Sequence, residues 1–341
     1  MPVAGRAMVL HAPAPIDTAP LRAELRPRPA PGPDDVLVRV TACGVCRTDL
    51  HVVEGELPPV RPSVVPGHQI VGRVIETGAR AGRFAPGDRV GVAWLRHTCG
   101  VCPYCTTGRE NLCEAASFTG YHADGGYADY CVAPAAFAYA VPDGFSDVAA
   151  APLLCAGIIG YRALTLAGVR PGERLGMYGF GSSAHITLQI ARARGTEVYV
   201  WTREPGHRDL ARRLGAAWAG DLGDAPPAPT EGAIVFAPVG SLVPVALRHL
   251  APGGTLALAG IYMSDIPSFP YADLFRERIV RSVTANTRAD AVAFLAEAVT
   301  VPVRAEVTTF PLEDANRALL ALARGDLRGS GVLVVENASG V

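Results

Sequence analysis

Residues 174–195, RLGMYGFGSSAHITLQIARARG, decide the fold of this 341-residue chain. The apolar run Leu175–Gly179 predicts a short buried strand, and the apolar spacing in Ser183–Arg194 predicts a helix directly after it. The loop between them matches a dinucleotide-binding fingerprint, in which Gly179 permits a tight turn and Gly181 lets the backbone approach a pyrophosphate. A strand, a glycine-rich turn and a helix in this order indicate a crossover unit of a parallel sheet.

The same alternation of strands and helices extends over the part of the chain that follows Gly144. Further strands are predicted at Val198–Trp201, Ala216–Ala219, Ala233–Ala237, Leu256–Gly260 and Ile279–Val283. In contrast, residues 6–142 show short strand patterns separated by Gly and Pro, with little helical periodicity. We therefore expect an α/β protein in which a mostly β domain, a partly open barrel, accompanies a doubly wound parallel sheet.

Composition excludes several classes of function. The formal net charge is −1 and charged residues make up 18% of the chain, so we expect no nucleic-acid or membrane partner. All 31 basic residues are arginine, which excludes chemistry that needs a lysine amine, such as Schiff-base formation. Residues 1–15 lack the apolar core of a signal peptide, so we expect a cytoplasmic protein whose eight cysteines are thiols or metal ligands.

Four cysteines lie close together, in the pattern Cys99-x2-Cys102-x2-Cys105-x7-Cys113. A structural zinc ion takes four soft ligands at tetrahedral corners, and such short spacings let one loop supply all of them. Gly and Pro residues between the cysteines favour the turns that this geometry needs. The pattern therefore predicts a structural zinc site.

Three further candidate ligands are dispersed along the chain: Cys46, His68 and Cys155. Taken singly, a cysteine in an apolar run is typical of a core, and a histidine beside glycine is typical of a loop. Taken together, two cysteines and one histidine are typical of catalytic zinc, because three protein ligands leave one position for water or substrate. The spacing alone leaves both interpretations open.

The motifs form an ordered set: Cys46-Arg-Thr48-Asp-x-His51, Gly67-His68, Gly87-Asp88-Arg-Val, the four-cysteine segment, Cys155 and the Gly179 loop. Over almost the whole chain, this set resembles the zinc-dependent alcohol dehydrogenases of the medium-chain dehydrogenase/reductase superfamily. The resemblance implies a GroES-like β-barrel catalytic domain, residues 1–153 and 287–341, and an inserted Rossmann nucleotide-binding domain, residues 154–286.

The resemblance also implies two Zn²⁺ ions per chain. The ligands of the catalytic ion would be Cys46, His68 and Cys155, and those of the structural ion would be Cys99, Cys102, Cys105 and Cys113. The two remaining thiols, Cys43 and Cys131, match no ligand position and are interpreted as buried core residues.

The implied reaction moves hydride between a nicotinamide cofactor and a small alcohol or aldehyde. Thr48 and His51 match a family proton path that runs from a hydroxyl near the zinc, through the cofactor ribose, to a histidine. Asp49 matches the carboxylate that orients the zinc-bound His68. Trp94 lies in a segment that walls the family's substrate pocket, and its bulk favours primary alcohols.

One departure from the family concerns residue 69. The family usually has Glu after the Gly-His pair, whereas this chain has Gln69. Because Gln carries no charge and is a poorer metal ligand, any role of that carboxylate in ligand exchange at the metal is in doubt. The three ligands are intact, so we expect the metal to remain.

A second departure concerns the cofactor. Members that use NAD place an acidic residue at the end of the second Rossmann strand, where this chain has Thr202 followed by Arg203. A hydroxyl and a guanidinium suit a 2′-phosphate, so we expect NADP(H) to be preferred while NAD(H) remains possible. The nearby His207 and Arg208 could add positive potential. The expected cofactor-binding residues are Gly179, Gly181, Ser182, Ser183, Ala184, Thr202 and Arg203.

Competing interpretations are a reductase of conjugated double bonds, a zinc hydrolase and a non-catalytic zinc-ribbon binding protein. Thr48 and His51 favour carbonyl–alcohol chemistry over the first, since alkene reduction needs no such relay. The other two interpretations, a zinc hydrolase and a zinc-ribbon protein, leave the Gly179 loop without a function. By resemblance we also expect a homodimer or homotetramer, joined partly through edges of the Rossmann sheet.

Overall fold

A computed structural model describes residues 3–335, which form two compact units. The first unit contains residues 3–155, 287–295 and 305–335, and the second contains residues 156–286 and 296–304. No single helix within residues 3–335 is long and apolar enough to cross a membrane; only the pair Asp147–Leu154 and Ala156–Ala167, taken together, has that length and composition.

Residues 3–155 are mostly strands. The elements are β1 (Ala4–Val9), β2 (Arg22–Pro27), β3 (Asp35–Val45), α1 (Arg47–Glu54), β4 (Gln69–Thr77), β5 (Arg89–Val92), β6 (Leu95–His97), α2 (Pro103–Thr106), β7 (Ser117–Phe118), β8 (Tyr130–Pro134), β9 (Ala138–Ala140) and α3 (Asp147–Ala150). A 3₁₀ helix, Ala151–Leu154, continues α3 as far as Cys155.

The remaining elements alternate strands with helices. They are α4 (Ala156–Ala167), β10 (Arg174–Tyr178), α5 (Ser182–Ala193), β11 (Glu197–Trp201), α6 (Pro205–Arg213), β12 (Trp218–Gly220), β13 (Thr230–Val235), α7 (Leu242–His249), β14 (Leu250–Leu258), α8 (Tyr271–Leu274), β15 (Ile279–Ser282), α9 (Arg288–Thr300), β16 (Val307–Pro311), α10 (Ala315–Arg324) and β17 (Ser330–Val334).

The core of the first unit lies on a seven-stranded sheet of order β16-β17-β3-β4-β5-β9, in which β8 also pairs with β3. Only β16 and β17 are parallel neighbours; the other pairs are antiparallel. The apolar residues of β3 and β4 supply much of this core; Val36, Val38, Val40 and Ile70 are all buried. The sheet holds β3, β4 and β5 side by side; Cys46 follows the end of β3, and His68 precedes the start of β4.

The second unit contains a six-stranded sheet of order β12-β11-β10-β13-β14-β15, with every neighbouring pair parallel. The predicted doubly wound parallel sheet is therefore confirmed. The strand order reverses between β10 and β13, and in such sheets dinucleotides bind at the carboxyl ends of the strands at this point. Tyr178, the last residue of β10, is followed directly by Gly179.

The boundaries of the compact units differ from the predicted domain limits at two places. Leu154 and Cys155 belong to the first unit, because Leu154 packs against Gly91 of β5. Residues 296–304 belong to the second unit, because Glu297 forms an ion pair with Arg194, at 2.6 Å between Oε2 and Nη2. Both departures arise from contacts between residues that are distant in sequence.

Candidate active site

Cys46, His68 and Cys155 converge in the first unit. Cys46 precedes α1, His68 precedes β4, and Cys155 follows the 3₁₀ helix that extends α3. Their ligand atoms all lie within 4.8 Å of one another, and His68 Nε2 is 3.3 Å from Cys155 Sγ. The chain therefore brings together three residues separated by as many as 109 positions, which spacing alone left as one of two interpretations.

The chemistry of this donor set fits a zinc ion. The hydrogen bond with Cys155 lowers the pKa of Cys46 well below its ordinary value, and the same bond raises the pKa of Cys155. Burial lowers the pKa of His68, but Asp49 outweighs that effect and raises it to about 10. The two sulfur atoms and the imidazole therefore compete for the same protons, and a cation can take the place of those protons. Two thiolates and one imidazole are ligands that Zn²⁺ accepts.

A reciprocal capping arrangement at the start of α1 explains how Cys46 and Asp49 are held. Cys46 is the N-cap residue; its sulfur accepts the N–H of Asp49, while Asp49 Oδ2 accepts the Cys46 N–H at 2.9 Å. The other oxygen, Oδ1, accepts from His68 Nδ1 at 2.8 Å and from the Gly67 N–H at 3.1 Å. Asp49 thus fixes the imidazole with Nε2 facing the two thiols.

Thr48 and His51 lie on α1, three residues apart, and both are buried. His51 Nδ1 contacts Glu56 Oε2, whose side chain is 37% exposed. No sequence motif indicates Glu56, because its contact with His51 depends on Gly55, which ends α1 at φ +78° and turns the chain back. The side chains of His51 and Glu56 together connect the buried end of α1 to solvent.

Aromatic rings lie beside His68. The ring of Trp94 is edge-on to His68 at a centroid distance of 4.9 Å and stacks on Phe118, also at 4.9 Å. Tyr121 stacks on the same indole at 6.1 Å. Trp94 was expected in a pocket wall, whereas Phe118 and Tyr121 belong to no sequence motif. This cluster supplies an apolar face next to the three candidate ligands.

Gln69, the residue that departs from the family pattern, is 2% exposed. Its Oε1 is buried without a hydrogen-bond partner among the described residues. A Cβ at Gly44, its partner in the β3–β4 register, would lie 2.9 Å from Gln69 Cδ. Glycine at position 44 therefore makes room for a neutral amide beside His68.

The four cysteines of the second group also converge, with all ligand atoms within 4.8 Å. Backbone N–H groups of Val101 and Cys102 lower the pKa of Cys99 to about 6, as suits a thiolate ligand. Gly100 and Gly108 take φ values of +74° and +73°, so the turns between the cysteines use the left-handed region. All eight cysteines are free thiols, and Cys43 and Cys131 lie buried in the core of the first unit.

Glu110, within the four-cysteine segment, ties that segment to Arg288 at the start of α9. The guanidinium donates to both carboxylate oxygens, with Nη2 at 2.6 Å from Oε2, and stacks over the ring of Phe137 at 4.5 Å. Burial raises the pKa of Glu110, but the bonds from Arg288 outweigh it and hold that pKa below 4.5.

The predicted cofactor loop lies in the second unit. Gly179 takes φ +89°, and a Cβ there would lie 2.9 Å from the backbone nitrogen of Ala237. Gly181 is the N-cap of α5, which places the N–H groups of its first residues at the end of the helix where anions bind. Those first residues are Ser182, Ser183 and the buried Ala184.

The residues after β11 differ in exposure. Thr202 is buried and Arg203 is exposed. Arg208 Nη1 donates to the carbonyls of Thr202 and Arg203, at 2.8 and 2.9 Å. The guanidinium of Arg208, which was expected to add positive potential, therefore binds the backbone of this turn. Arg203 carries the exposed guanidinium at the end of the strand.

Comparison with known proteins places the chain in a family. The sequence model of the alcohol dehydrogenase GroES-like domain matches residues 32–143. Over 329 residues, 95% of each chain, the sequence is 54% identical to "Probable alcohol dehydrogenase AdhA" of Mycobacterium tuberculosis. Two solved structures are similar over 98% of this chain at 26% identity. They are the cobalt- and zinc-bound thermostable alcohol dehydrogenase of Pyrobaculum aerophilum (TM-score 0.90, 100% of that chain) and the acetophenone reductase of Geotrichum candidum in complex with NAD (TM-score 0.87, 98% of that chain).

These matches define an oxidoreductase with a GroES-like domain and a Rossmann domain, and the predicted fold class is confirmed. The chain belongs to the zinc-type alcohol dehydrogenases of the medium-chain dehydrogenase/reductase superfamily. The interpretation as a non-catalytic zinc-ribbon protein is excluded.

Proposed function

We propose that this enzyme interconverts a small primary alcohol and its aldehyde, exchanging hydride with a nicotinamide cofactor, and that it holds two Zn²⁺ ions. Cys46, His68 and Cys155 would bind the catalytic ion, and the four-cysteine segment would bind a structural one. The observation that carries the proposal is the convergence of the three ligand atoms within 4.8 Å. When bound, Zn²⁺ supplies Lewis acidity that lowers the pKa of an alcohol and polarises a carbonyl.

The residues of α1 and the turn after it would handle the proton. Thr48 Oγ1 is the group we assign to take the proton of the alcohol, and His51 is the next protein group on the proton path. His51 Nδ1 faces Glu56, so the partly exposed carboxylate is the point at which the proton reaches water. Asp49 moves no proton; it holds His68 in the tautomer that leaves Nε2 free.

The preference for a primary alcohol rests on the aromatic cluster. Trp94, with Phe118 stacked on it, occupies space beside His68 that a branched alcohol would need. A flat apolar wall favours a substrate with one hydrogen-bonding end and an unbranched or planar apolar end.

The experiment that tests the proposal is metal analysis of the purified protein followed by assays with an alcohol, its aldehyde and a conjugated enal. We expect two zinc ions per chain, and nicotinamide-dependent turnover with the alcohol and the aldehyde. Zinc content of one or none contradicts the assignment of two sites. Reduction of the enal at its double bond, with no alcohol oxidation, supports the competing double-bond reductase.

We further propose that NADP(H) is preferred over NAD(H), because position 202 holds threonine instead of an acidic residue and the exposed Arg203 follows it. A charge-assisted bond between guanidinium and phosphate is worth about 1.5–3 kcal/mol, which corresponds to roughly 10- to 100-fold in catalytic efficiency. Kinetics with both cofactors on the wild type and on Arg203→Ala test this, with the exposed Arg213→Ala of α6 as control. Unchanged selectivity in Arg203→Ala contradicts the proposal.

For the assembly we propose a homodimer or homotetramer that uses the free edge of the six-stranded sheet. The edge strand β15 exposes Ile279, and the aromatic residues Tyr271 and Phe275 nearby are also exposed. Analytical ultracentrifugation of the wild type and of Ile279→Glu tests it: the charge is expected to shift the protein toward monomer.

A further inference from the structure

Arg89 and Gly91 lie two residues apart on β5, and both contact the segment that ends at Cys155. Side chains alternate along a strand, so residues two apart share one face. Arg89 belongs to the Gly87-Asp88-Arg-Val motif, to which the proposed reaction assigns no role. The helical segment Asp147–Leu154 lies between the two contacts.

Arg89 holds the beginning of this segment. Its Nε donates to Asp147 Oδ1 at 2.7 Å, and its two terminal nitrogens donate to the carbonyls of Pro142 and Phe145, at 3.2 and 2.7 Å. Asp147 is the first residue of α3, and its other oxygen accepts the hydroxyl of Thr41 at 2.6 Å. The planar guanidinium thereby fixes Asp147, the first residue of the segment, and two carbonyls of the loop before it in one geometry.

Gly91 contacts Leu154, the last residue of the segment. Leu154 is fully buried, and a Cβ on Gly91 would lie 2.6 Å from its Cδ2 atom. The next residue is Cys155, whose Sγ is 3.3 Å from His68 Nε2. Any displacement of Leu154 is therefore passed to the sulfur across a single peptide unit.

We propose that Arg89 and Gly91 are positioning residues for Cys155. By holding the segment Asp147–Leu154 at both ends, β5 sets the position of the sulfur relative to His68 and Cys46. The inference rests on the proposed function, since it assumes a metal ion at these three ligands.

The test measures how fast metal leaves the zinc-loaded full chain when a chelator is added. The loss phase that belongs to the three-ligand site is identified as the one missing in Cys155→Ser. In Arg89→Met we expect this phase to be about 10-fold faster, in the range found for residues that support metal ligands from outside. The four-cysteine site provides an internal reference that should not change. Arg80→Met is the matched control, because it removes a similar but exposed pair with Asp34.

Two further variants keep the proposal testable if Arg89→Met does not fold. Arg89→Lys retains the charge but loses the fork, so we expect metal loss at an intermediate rate. Gly91→Ala should displace Leu154, and in the cobalt-loaded protein it should weaken the cobalt–thiolate absorption of the three-ligand site.

The outcomes separate the two hypotheses. Metal loss at the wild-type rate in Arg89→Met, or in Arg89→Lys if Arg89→Met does not fold, overturns the positioning role. An unchanged cobalt–thiolate absorption in Gly91→Ala, or an equal acceleration of metal loss at both metal sites, overturns it as well. A wild type that holds no metal at Cys46, His68 and Cys155 contradicts the proposed function itself.

Discussion

The two groups of candidate metal ligands differ in how they are built. The four-cysteine group comes from one segment of 15 residues, 99–113, with glycine turns and a short helix between its members. The three-residue group comes from segments that are distant in sequence and meet only once β3, β4 and β5 have paired. One group is a product of local sequence, and the other is a product of the completed sheet.

This difference has a consequence for energetics. A ligand group formed by one loop gains its order from the metal, because the loop has few apolar residues to bury; metal binding then contributes directly to folding. A group assembled by a preformed sheet is already ordered, so its metal can serve chemistry with less effect on folding.

The largest expected effect is on turnover in Cys46→Ser. Removal of one soft ligand should reduce alcohol oxidation to background, while the thermal unfolding midpoint changes by only a few degrees. Serine is itself a favourable N-cap, so the start of α1 should survive the change. Steady-state assays and circular dichroism melting on the same sample check both parts. Turnover near the wild-type level would contradict the assigned role.

The opposite result is expected for Cys113→Ser. Loss of a ligand from the locally built group should cost several kcal/mol of folding free energy and lower the unfolding midpoint by about 10 °C. Residual folded protein should still turn over alcohol. Cys131→Ala, a buried thiol outside both groups, is the control. An unchanged midpoint in Cys113→Ser would mean that the segment is ordered without metal.

Thr48→Ala is expected to reduce turnover by about 10²-fold, within the usual contribution of a positioned acid–base group. His51→Gln and Glu56→Gln should each cost less, about 10-fold or below, because water can replace an outer member of a relay. The effects of the last two should not add, since they lie on one path. The kcat values of the single and double variants test this expectation. Additive losses would show that Glu56 and His51 do not lie on one proton path.

The smallest effect concerns the tie between Glu110 and Arg288. Because the bonds from Arg288 hold the pKa of Glu110 in the folded protein below its ordinary value, the pair stabilises the fold at pH values above that ordinary pKa. The contribution is lost as the pH falls through the lower pKa of the folded state. Glu110→Gln should lower the free energy of unfolding at pH 7 by about 1 kcal/mol, with the difference vanishing in acid. Denaturant unfolding at several pH values measures this. Glu114→Gln, at an exposed position directly after the four-cysteine segment, should show no such pH dependence.

The sequence predicted the locally built features best. The four-cysteine pattern and the Gly179 loop contain their turn-forming residues within a few positions, so spacing alone indicated their structure. Glu56 could not be found in this way, because its contact with His51 depends on the reversal of the chain at Gly55. Phe118 and Tyr121 reach Trp94 through tertiary packing only.

Among the helices that the sequence did not predict, α1 and α4 escaped detection for opposite physical reasons. In α1 the buried face includes Thr48, Asp49 and His51, so the polar residues of the candidate site interrupt its apolar pattern. In α4 apolar residues lie on most sides of the helix, so the sequence shows no alternation of apolar and polar residues with a helical period. The limits of the compact units depend on the pair of Arg194 with Glu297, which no local pattern encodes.

The attachment of both ends of the segment Asp147–Leu154 to β5 restricts how this part of the gene can change in length. Adding or removing one residue between the two contacts would rotate everything beyond it by about 100–120° and shift it by about 1.5–2 Å, the step of a helical residue. The sulfur of Cys155 would then point away from His68. We therefore expect related sequences to vary in length at surface loops such as residues 225–229 and to keep the helical segment Asp147–Leu154 free of insertions and deletions.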